Sequence, residues 1–330
     1  MKIDGKQIAQ NILEDLKKQT EKLKEKNITP RLAIILVGND PASIAYINQK
    51  ELKAENVGIQ TTIYNLDPAT QNSELIKLIN KLNQDKNVHG IIVQRPLPNQ
   101  INKDEISLAV NPKKDVDGFN PNSQFQMPIA MAVLRILEEV YKTKSEARST
   151  KSLPAKLSLA KQAGEINSNF QNSNVKNVLD FSHFNFDIVS NFEFRYSNFL
   201  SWLKSKKIVV MGKGETGGKP IINALQKLGI KPMLIDSKTM NHELLTKNAD
   251  IIICAVGKAN VLKPEMFKRG VILIGIGISR GESAKLMGDY DQNEVENIAA
   301  FYAPTPGGVG PVNVAMLLKN LILAAKNIIG

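Results

Sequence analysis

A glycine-rich turn between an apolar segment and a helical pattern constrains the fold of this chain more than any other feature. The segment KKIVVMG (206–212) predicts a strand, and GKGETG (212–217) matches the spacing G-x-G-x-x-G. In a strand–turn–helix unit, this spacing lets backbone N–H groups and a helix N-terminus face a pyrophosphate. The apolar segments KPMLIDS, ADIIICAVG and GVILIGIG follow it. We therefore predict a Rossmann-like dinucleotide-binding domain over residues 204–302.

The first part of the chain also alternates between strand and helix patterns. Strands are predicted at RLAIILV (31–37), IQTTIYN (59–65) and VHGIIVQ (88–94), with helical patterns between them. Such alternation implies a mostly parallel sheet whose ligands gather at the carboxyl ends of its strands. The predicted fold is thus α/β with two domains and a substrate cleft between them. Residues 1–142 form the catalytic domain with a linking helix, and 303–330 return to pack on it.

Composition excludes several other classes of protein. The net charge of +11 raises the possibility of nucleic-acid binding, but many lysines alternate with acids, as in LKKQTEKLKEK (16–26), and no basic stripe carries aromatics. We expect no nucleic-acid partner. We also expect no membrane association, because no apolar stretch reaches about 18 residues. The N-terminus lacks a secretory signal, and the single cysteine, Cys254, is expected to be a buried apolar residue, so we expect a cytoplasmic protein.

Candidate catalytic residues lie at the predicted ligand edge of the first sheet. Ser43, Tyr46 and Lys50 share one helix face at spacings i, i+3 and i+7. The third strand ends at Gln94, and the loop KKDVDGFN (113–120) carries Asp117. A phenol, an ammonium, an amide and a carboxylate together can polarise a substrate and hold a polar heterocycle. A Tyr-x-x-x-Lys pattern alone is more typical of a solvated helix face.

Four longer segments carry a family resemblance. GNDPASIAYINQKELKAENVGI, HGIIVQRPLP, KKDVDGFN and YAPTPGGVGPVNVAMLLKN occur in this order along the chain. They resemble the signature segments of the bifunctional methylenetetrahydrofolate dehydrogenase/methenyltetrahydrofolate cyclohydrolase (FolD-type) family. The resemblance covers roughly residues 1–140 and 204–328.

The resemblance implies roles for individual residues. Lys50 matches the family's catalytic lysine, and Gln94 matches the glutamine that hydrogen-bonds it. Tyr46 matches the tyrosine that stacks on the pterin, and Asp117 the carboxylate that binds the pterin ring. These four residues are the predicted catalytic set. The predicted substrate-binding set is Ser43, Tyr46, Pro96, Asp117, Gly307 and Gly308.

The resemblance also implies an activity. The family oxidises 5,10-methylenetetrahydrofolate to the methenyl cation with a nicotinamide cofactor and hydrolyses that cation to 10-formyltetrahydrofolate. Tetrahydrofolate derivatives are the expected partners, in the one-carbon metabolism that supports purine biosynthesis, and the family's usual assembly is a homodimer. Hydride loss creates a cation, which a permanently charged neighbour would oppose. A lysine whose charge is tuned by burial and by Gln94 can serve both steps.

The identity of the dinucleotide depends on the turn and on the strand that follows it. The predicted cofactor-binding set is Gly212, Lys213, Gly214, Gly217, Asp236, Ser237 and Ile278, and no metal site is predicted. Lys213 and Gly214 replace the family's arginine and serine. Lys213 keeps a positive charge for a 2′-phosphate, and Ser237 matches a serine at the same phosphate. Asp236, 19 residues beyond Gly217, is near the place of an acid that binds the ribose 2′-hydroxyl of NAD. The resemblance favours NADP, with NAD as the alternative.

The chain departs from the family's pattern in several places. Ala130 and Gly275 stand where a threonine and a strand-end aspartate are usual, and APTPGGVGPVN lacks two threonines. An insertion over 143–203 is polar at first and then rich in Phe, Asn and Ser. We expect it to be peripheral, either disordered or forming a small β-hairpin that turns at Ser190–Asn191.

Three alternatives bear on function. A short-chain dehydrogenase also uses Tyr-x-x-x-Lys, but its glycine-rich turn precedes that motif, whereas here the turn follows it. An enzyme with only one of the two activities fits the same residues. A non-catalytic descendant that binds folate or a dinucleotide is the alternative of a different class.

Overall fold

Two parallel sheets organise the molecule. The computed structural model describes residues 1–151, 190–240, 242–280 and 286–327. The first lobe is built on a three-stranded sheet, in which β1 (Arg31–Val37) lies between β2 (Gln60–Leu66) and β3 (Gly90–Val93). The second lobe is built on a five-stranded sheet of order β10 (Phe301–Ala303), β7 (Ile272–Gly275), β6 (Ile251–Cys254), β4 (Ile208–Met211) and β5 (Met233–Ile235). The predicted two-domain α/β fold is confirmed.

The first lobe alternates strands and helices as its sequence predicts. Its strands are β1 (Arg31–Val37), β2 (Gln60–Leu66) and β3 (Gly90–Val93), and its helices are α1 (Gly5–Lys24), α2 (Pro41–Asn56), α3 (Asn72–Gln84) and α4 (Lys103–Ala109). Helix α2 begins where the sequence dictates, because the Asp40 carboxylate accepts the backbone N–H of Ser43 and Pro41 occupies the first turn. The central strand β1 is buried from Leu32 onward, as expected of a strand covered on both faces.

The second lobe has Rossmann-like alternation. Its parallel strands are β4 (Ile208–Met211), β5 (Met233–Ile235), β6 (Ile251–Cys254), β7 (Ile272–Gly275) and β10 (Phe301–Ala303). Helices α7 (Gly218–Lys227), α8 (His242–Lys247) and α9 (Gln292–Val295) connect them, and β8 (Ile278–Arg280) pairs antiparallel with β9 (Leu286–Gly288). Cys254 is buried in this lobe, as predicted.

Long helices connect the two lobes. These are α5 (Pro128–Lys151), α6 (Ser190–Lys204) and α10 (Val309–Asn327). Helix α10 packs against α1 and α5. Tyr141 of α5 contacts Phe199 and Trp202 of α6, with ring centroids 5.9 and 5.4 Å apart.

Helix α10 corrects one expectation. By length and mean hydropathy, it is the single helix among the described residues that would suffice to cross a bilayer. The expectation that no apolar segment is long enough was therefore wrong. However, 67% of its apolar window is buried inside the protein, as in the core helix of a globular fold.

The predicted hairpin in the insertion is also wrong. Its proposed turn and second arm lie within α6, which is helical from Ser190 to Lys204. Downstream, Phe199 and Leu203 are buried one helical turn apart, so packing against the rest of the protein favours helix over the local alternation. The first arm falls in 152–189, outside the described residues.

The beginning of the chain extends the second lobe. The backbone N–H of Ile3 donates to the Tyr302 carbonyl at 2.8 Å, and Lys2 forms a parallel bridge with the same residue. Residues 2 and 3 therefore lie beside β10, at the edge of the five-stranded sheet.

Candidate active site

A pocket of about 350 Å³ lies between the two lobes. Its wall on the first lobe includes Tyr46, Lys50, Gln94, Arg95, Pro96 and Asp117. The glycine-rich turn of the second lobe contributes Glu215 and Thr216. The pocket therefore joins the predicted catalytic residues to the predicted dinucleotide site.

Lys50 is held at the pocket by Gln94. Its Nζ donates to Gln94 Oε1 at 3.0 Å and lies 4.6 Å from the centroid of the Tyr46 ring. Gln94 directly follows β3, and its backbone N–H donates to Ile35 of β1. Its Nε2 donates to the Arg95 carbonyl at 2.7 Å, which orients Oε1 towards the lysine. The sequence prediction that these residues converge agrees with this geometry.

Burial controls the charge of Lys50. The residue is only 3% exposed. Desolvation lowers the pKa of its ammonium below the usual value, and the nearby Asp117 carboxylate opposes this shift. A buried lysine of this kind exchanges its proton more readily than a surface lysine.

The two aspartates of KKDVDGFN have different roles: Asp115 holds the loop, and Asp117 lines the pocket. Asp115 accepts backbone N–H groups from Gly118 and Asn120, so it shapes the loop. Burial raises the pKa of Asp115 to about 6. Asp117 lines the pocket, where burial raises the pKa of its carboxyl while the charges of Lys50 and Arg95 lower it.

Helix α10 supplies two asparagines to this region. Asn313 Nδ2 donates to the Tyr46 hydroxyl, and burial, followed by the Asp117 charge, raises the pKa of this phenol to about 12. Tyr46 is therefore neutral at physiological pH. Asn320 donates to the carbonyls of Val116 and Gln126, both at 2.9 Å, and so fixes both sides of the loop that carries Asp117.

The glycine-rich turn fits a dinucleotide pyrophosphate. Gly212 has φ = +90°, a conformation that favours glycine. A Cβ on Gly218 would lie 1.9 Å from the Gly212 carbonyl oxygen, so only glycine permits this approach of α7 to the turn. Gly217 is the N-cap of α7, and Gly214 faces open space. The turn thus presents backbone and a helix N-terminus to a ligand.

A charge pair sits where the cofactor ribose is expected. Lys213 Nζ contacts Asp236 Oδ2 at 2.8 Å. Asp236 also accepts the Lys238 N–H and the Thr239 hydroxyl, and these contacts, led by that of Lys213, lower its pKa to about 2. Ser237 is exposed beside this pair. Ile278, also predicted for the cofactor, is exposed at the start of β8.

Several predicted residues do not line the pocket. Ser43 is buried and contributes its backbone N–H to the cap of α2. Gly307 and Gly308 lie against the start of α1, where a Cβ on Gly5 would be 1.8 Å from the Gly308 oxygen. Ala130 is 2% exposed and packs in the core.

At Gly275, where the family usually has an aspartate, the side chain of Tyr290 occupies the space beside the strand end. A Cβ on Gly275 would lie 3.1 Å from Cε1 of Tyr290, so this ring fills the space beside the strand end. The Tyr290 hydroxyl lies 2.5 Å from the Ala303 carbonyl oxygen and therefore links the ring to β10. The adjacent Asp289 accepts the backbone N–H groups of Gly257 and Gly277 and holds the loops after β6 and β7.

Sequence reasoning missed several residues that line the pocket, among them Arg95, Phe119, Glu215 and Asn313. In the sequence, Arg95 is next to Gln94 and Phe119 is close to Asp117, and this adjacency is the available signal. Asn313 stands where the resembled family has a threonine, and Glu215 occupies a variable position of the glycine-rich turn, so neither position signals a role.

Comparisons with known proteins agree with this geometry. The family model for the tetrahydrofolate dehydrogenase/cyclohydrolase catalytic domain matches residues 3–117, and that for its NAD(P)-binding domain matches 198–329. Bifunctional protein FolD of Campylobacter jejuni (strain RM1221) is 35% identical over 325 residues, which cover 98% of each chain.

Solved structures give the same result. The bifunctional enzyme FolD-methylenetetrahydrofolate dehydrogenase/cyclohydrolase from Campylobacter jejuni has a TM-score of 0.78 at 33% identity, covering 99% of both chains. A 5,10-methylenetetrahydrofolate dehydrogenase from the silkworm Bombyx mori has a TM-score of 0.72 at 28% identity, covering 98% of this chain and 97% of that one. The chain therefore belongs to the tetrahydrofolate dehydrogenase/cyclohydrolase family.

Proposed function

We propose that this protein oxidises 5,10-methylenetetrahydrofolate to 5,10-methenyltetrahydrofolate with NADP and hydrolyses the product to 10-formyltetrahydrofolate. One observation carries the proposal. The buried Lys50 is hydrogen-bonded to Gln94 at 3.0 Å and lies over Tyr46, in a pocket that also includes the glycine-rich turn. A proton-exchanging amine, an aromatic face and a dinucleotide site are thus combined.

The oxidation step transfers a hydride from the methylene carbon of the folate. The bound dinucleotide supplies the acceptor for that hydride. The carbon and its two nitrogens become an amidinium-like cation, so the charges around them decide the cost of the step. Desolvation shifts Lys50 towards its neutral amine, which adds no positive charge beside the cation, and the carboxyl of Asp117 lines the same pocket.

The hydrolysis step adds water to the methenyl carbon and opens the ring. A C–O bond forms, and one C–N bond of the ring breaks. The neutral amine of Lys50 accepts one proton of the attacking water, and the resulting ammonium gives a proton to the departing nitrogen. The second water proton is released to solvent as the formyl C=O forms. Gln94 Oε1 orients the lysine through both protonation states, because it accepts an N–H in either.

The dinucleotide is proposed to be NADP rather than NAD. The exposed Lys213 lies on the glycine-rich turn and counters the charge of Asp236. Ser237 and the backbone of Lys238 adjoin the pair. A 2′-phosphate would therefore meet a lysine and a hydroxyl beside an acid whose charge is already compensated.

We also propose that the protein works as a cytoplasmic homodimer in the one-carbon metabolism that supports purine biosynthesis. The buried free Cys254 fits a reducing compartment. Strand β5 lies at an edge of the five-stranded sheet, with Leu234 39% exposed, which supports a contact between copies there.

The experiment is an assay with 5,10-methylenetetrahydrofolate and either NADP or NAD, in which reduced nicotinamide and methenyltetrahydrofolate are followed separately. Both products should appear with NADP, and added methenyltetrahydrofolate should be hydrolysed. Both products accumulating equally, with no hydrolysis of added methenyltetrahydrofolate, would assign the dehydrogenase activity alone. Hydrolysis of added methenyltetrahydrofolate without any reduced nicotinamide would assign the cyclohydrolase activity alone. Binding without turnover would identify a non-catalytic descendant.

Two lysine variants test the catalytic assignment. Lys50→Met keeps the apolar stem and removes the amine, and we expect hydrolysis to fall by at least about 100-fold, the usual contribution of general acid–base catalysis. Lys22→Met, at an exposed position on α1, is the matched control. Equal activity of the two variants would refute the role of Lys50.

A further inference from the structure

Arg95 places a buried guanidinium with unused hydrogen-bonding capacity in the pocket wall. Its side chain is 6% exposed. Nη2 donates to the Ser107 hydroxyl at 2.8 Å and to the Lys103 carbonyl at 3.3 Å. Within the described part of the chain, Nε and Nη1 have no hydrogen-bond partner. Because arginine stays ionised in proteins, these N–H groups remain donors without an acceptor.

The carboxylate of Glu215, on the opposite side of the pocket, does not hydrogen-bond to these N–H groups of Arg95. Glu215 Oε1, on the glycine-rich turn, is 4.0 Å from Arg95 Nη1 and 3.8 Å from Lys103 Nζ. These distances permit electrostatic attraction, but they exceed the range of a hydrogen bond. Arg95 and Glu215 both line the pocket, so their separation is part of the space that a ligand enters.

The guanidinium is held in place before a ligand arrives. Its central carbon lies 4.9 Å from the Phe119 ring centroid, and the contacts to Ser107 and Lys103 fix its plane. A fixed guanidinium matches oxyanions well, because its donors form a rigid fork. A ligand that accepts hydrogen bonds from buried, unpartnered N–H groups gains more binding free energy than one that replaces water on N–H groups already hydrated.

We propose that Arg95 is an oxyanion receptor of the pocket, which binds a carboxylate or phosphate of a ligand in competition with Glu215. The proposal rests on the proposed function, because that function names the two anionic ligands. One source is the glutamate carboxylates of the folate, and the other is the phosphates of the dinucleotide. Lys103 adds a second positive charge beside the Glu215 carboxylate.

Calorimetric binding separates the two sources. The probes are 5-formyltetrahydrofolate, its diamide, in which both glutamate carboxylates are neutral, and NADP. If the folate supplies the oxyanion, the wild type binds the acid about tenfold more tightly than the diamide, and Arg95→Gln loses this preference. If the dinucleotide supplies it, Arg95→Gln weakens NADP binding about tenfold and leaves the two folates unaffected.

Glu215→Gln provides a test in the opposite direction. It removes the competing charge and should tighten binding of the same oxyanion a few-fold. Lys81→Gln, an exposed lysine of α3, removes one positive charge away from the pocket and should change neither affinity. High salt should weaken wild-type binding more than that of Arg95→Gln.

The outcomes are distinguishable. If folded Arg95→Gln keeps all affinities within twofold of the wild type, the receptor role is overturned. Should Arg95→Gln fail to fold, unchanged affinities in Glu215→Gln overturn it instead. A wild type that binds neither folate nor dinucleotide contradicts the proposed function itself.

Discussion

Replacing Gln94 by leucine should shift the pH dependence of hydrolysis by changing the acidity of Lys50. In the native protein, Gln94 Oε1 accepts an N–H from the Lys50 ammonium at 3.0 Å. Gln94→Leu keeps much of the side-chain volume and removes this acceptor. The buried ammonium then loses a partner, whereas the neutral amine loses a weaker bond.

The size of the shift follows from the difference between these bonds. Hydrogen bonds to charged groups contribute about 1.5–3 kcal/mol and neutral ones about 0.5–1.5 kcal/mol. The ammonium therefore loses about 1 kcal/mol more than the amine, which lowers the Lys50 pKa by somewhat less than one unit. Gln94→Glu places a carboxylate at the same position and should raise the Lys50 pKa by about 1–3 units.

The assay is the pH dependence of kcat/KM for hydrolysis of methenyltetrahydrofolate, after subtraction of the uncatalysed rate. If the neutral amine accepts the proton of water, activity rises with pH through the Lys50 pKa. This rising limb should move to lower pH in Gln94→Leu and to higher pH in Gln94→Glu. Gln10→Leu, at an exposed position of α1, should leave it in place. A limb that stays fixed in both Gln94 variants, or moves the same way in both, would refute the reasoning.

Four other predictions concern stability and specificity. Burial lowers the pKa of Lys50 below 10.5, so the unfolded chain binds more protons and wild-type stability rises with pH from the lowered value to 10.5. Lys50→Met should abolish this contribution in urea titrations at several pH values and should increase stability at pH 7, because no buried ammonium remains. A rise of unchanged size would contradict the assignment. Gly218→Ala should lower the free energy of unfolding, measured by thermal unfolding, by at least about 2 kcal/mol, because its Cβ would lie 1.9 Å from a carbonyl oxygen. Gly214→Ala, in open space, should change it by no more than about 0.5 kcal/mol. Similar losses in the two variants would contradict the packing argument. Asp236→Asn should raise the ratio of kcat/KM with NADP to that with NAD about tenfold, because it removes the carboxylate that pairs with Lys213 and leaves the lysine charge to the 2′-phosphate. An unchanged ratio places the ribose elsewhere. Asn320→Leu should lower the free energy of unfolding by about 1–3 kcal/mol, because two loop carbonyls lose their donor. It should raise KM for the folate but not for the dinucleotide. Equal changes of both KM values would indicate a general structural role.

The sequence predicted the elements whose signals are local and strong. Strand β1 has the predicted bounds, 31–37, and helix α3 lies between the second and third predicted strands. Helix α2 begins at Pro41, because Asp40 and Pro41 both specify a helix start. The Lys50–Gln94 pair was also accessible, because it follows from a helix face and a strand end at one edge of a parallel sheet.

The remaining features depend on contacts between distant segments. Helix α6 replaced a predicted hairpin because Phe199 and Leu203 pack at helical spacing. Glu215 faces Arg95 only because the cleft brings a turn of one lobe opposite a strand end of the other. Gly275 was noted as a loss, but its partner Tyr290 lies 15 residues later in a segment with no recognised motif.

The way α10 packs has a consequence for synthesis of the protein. Helix α10 belongs to the end of the chain, yet it packs against α1 and its Asn320 fixes the Asp117 loop of the first lobe. Meanwhile, residues 2 and 3 lie beside β10 of the second lobe. The first lobe therefore cannot complete its core until α10 has left the ribosome. Ribosome-bound chains stalled before residue 309 should thus lack the folate pocket, even though every residue predicted to be catalytic has already emerged.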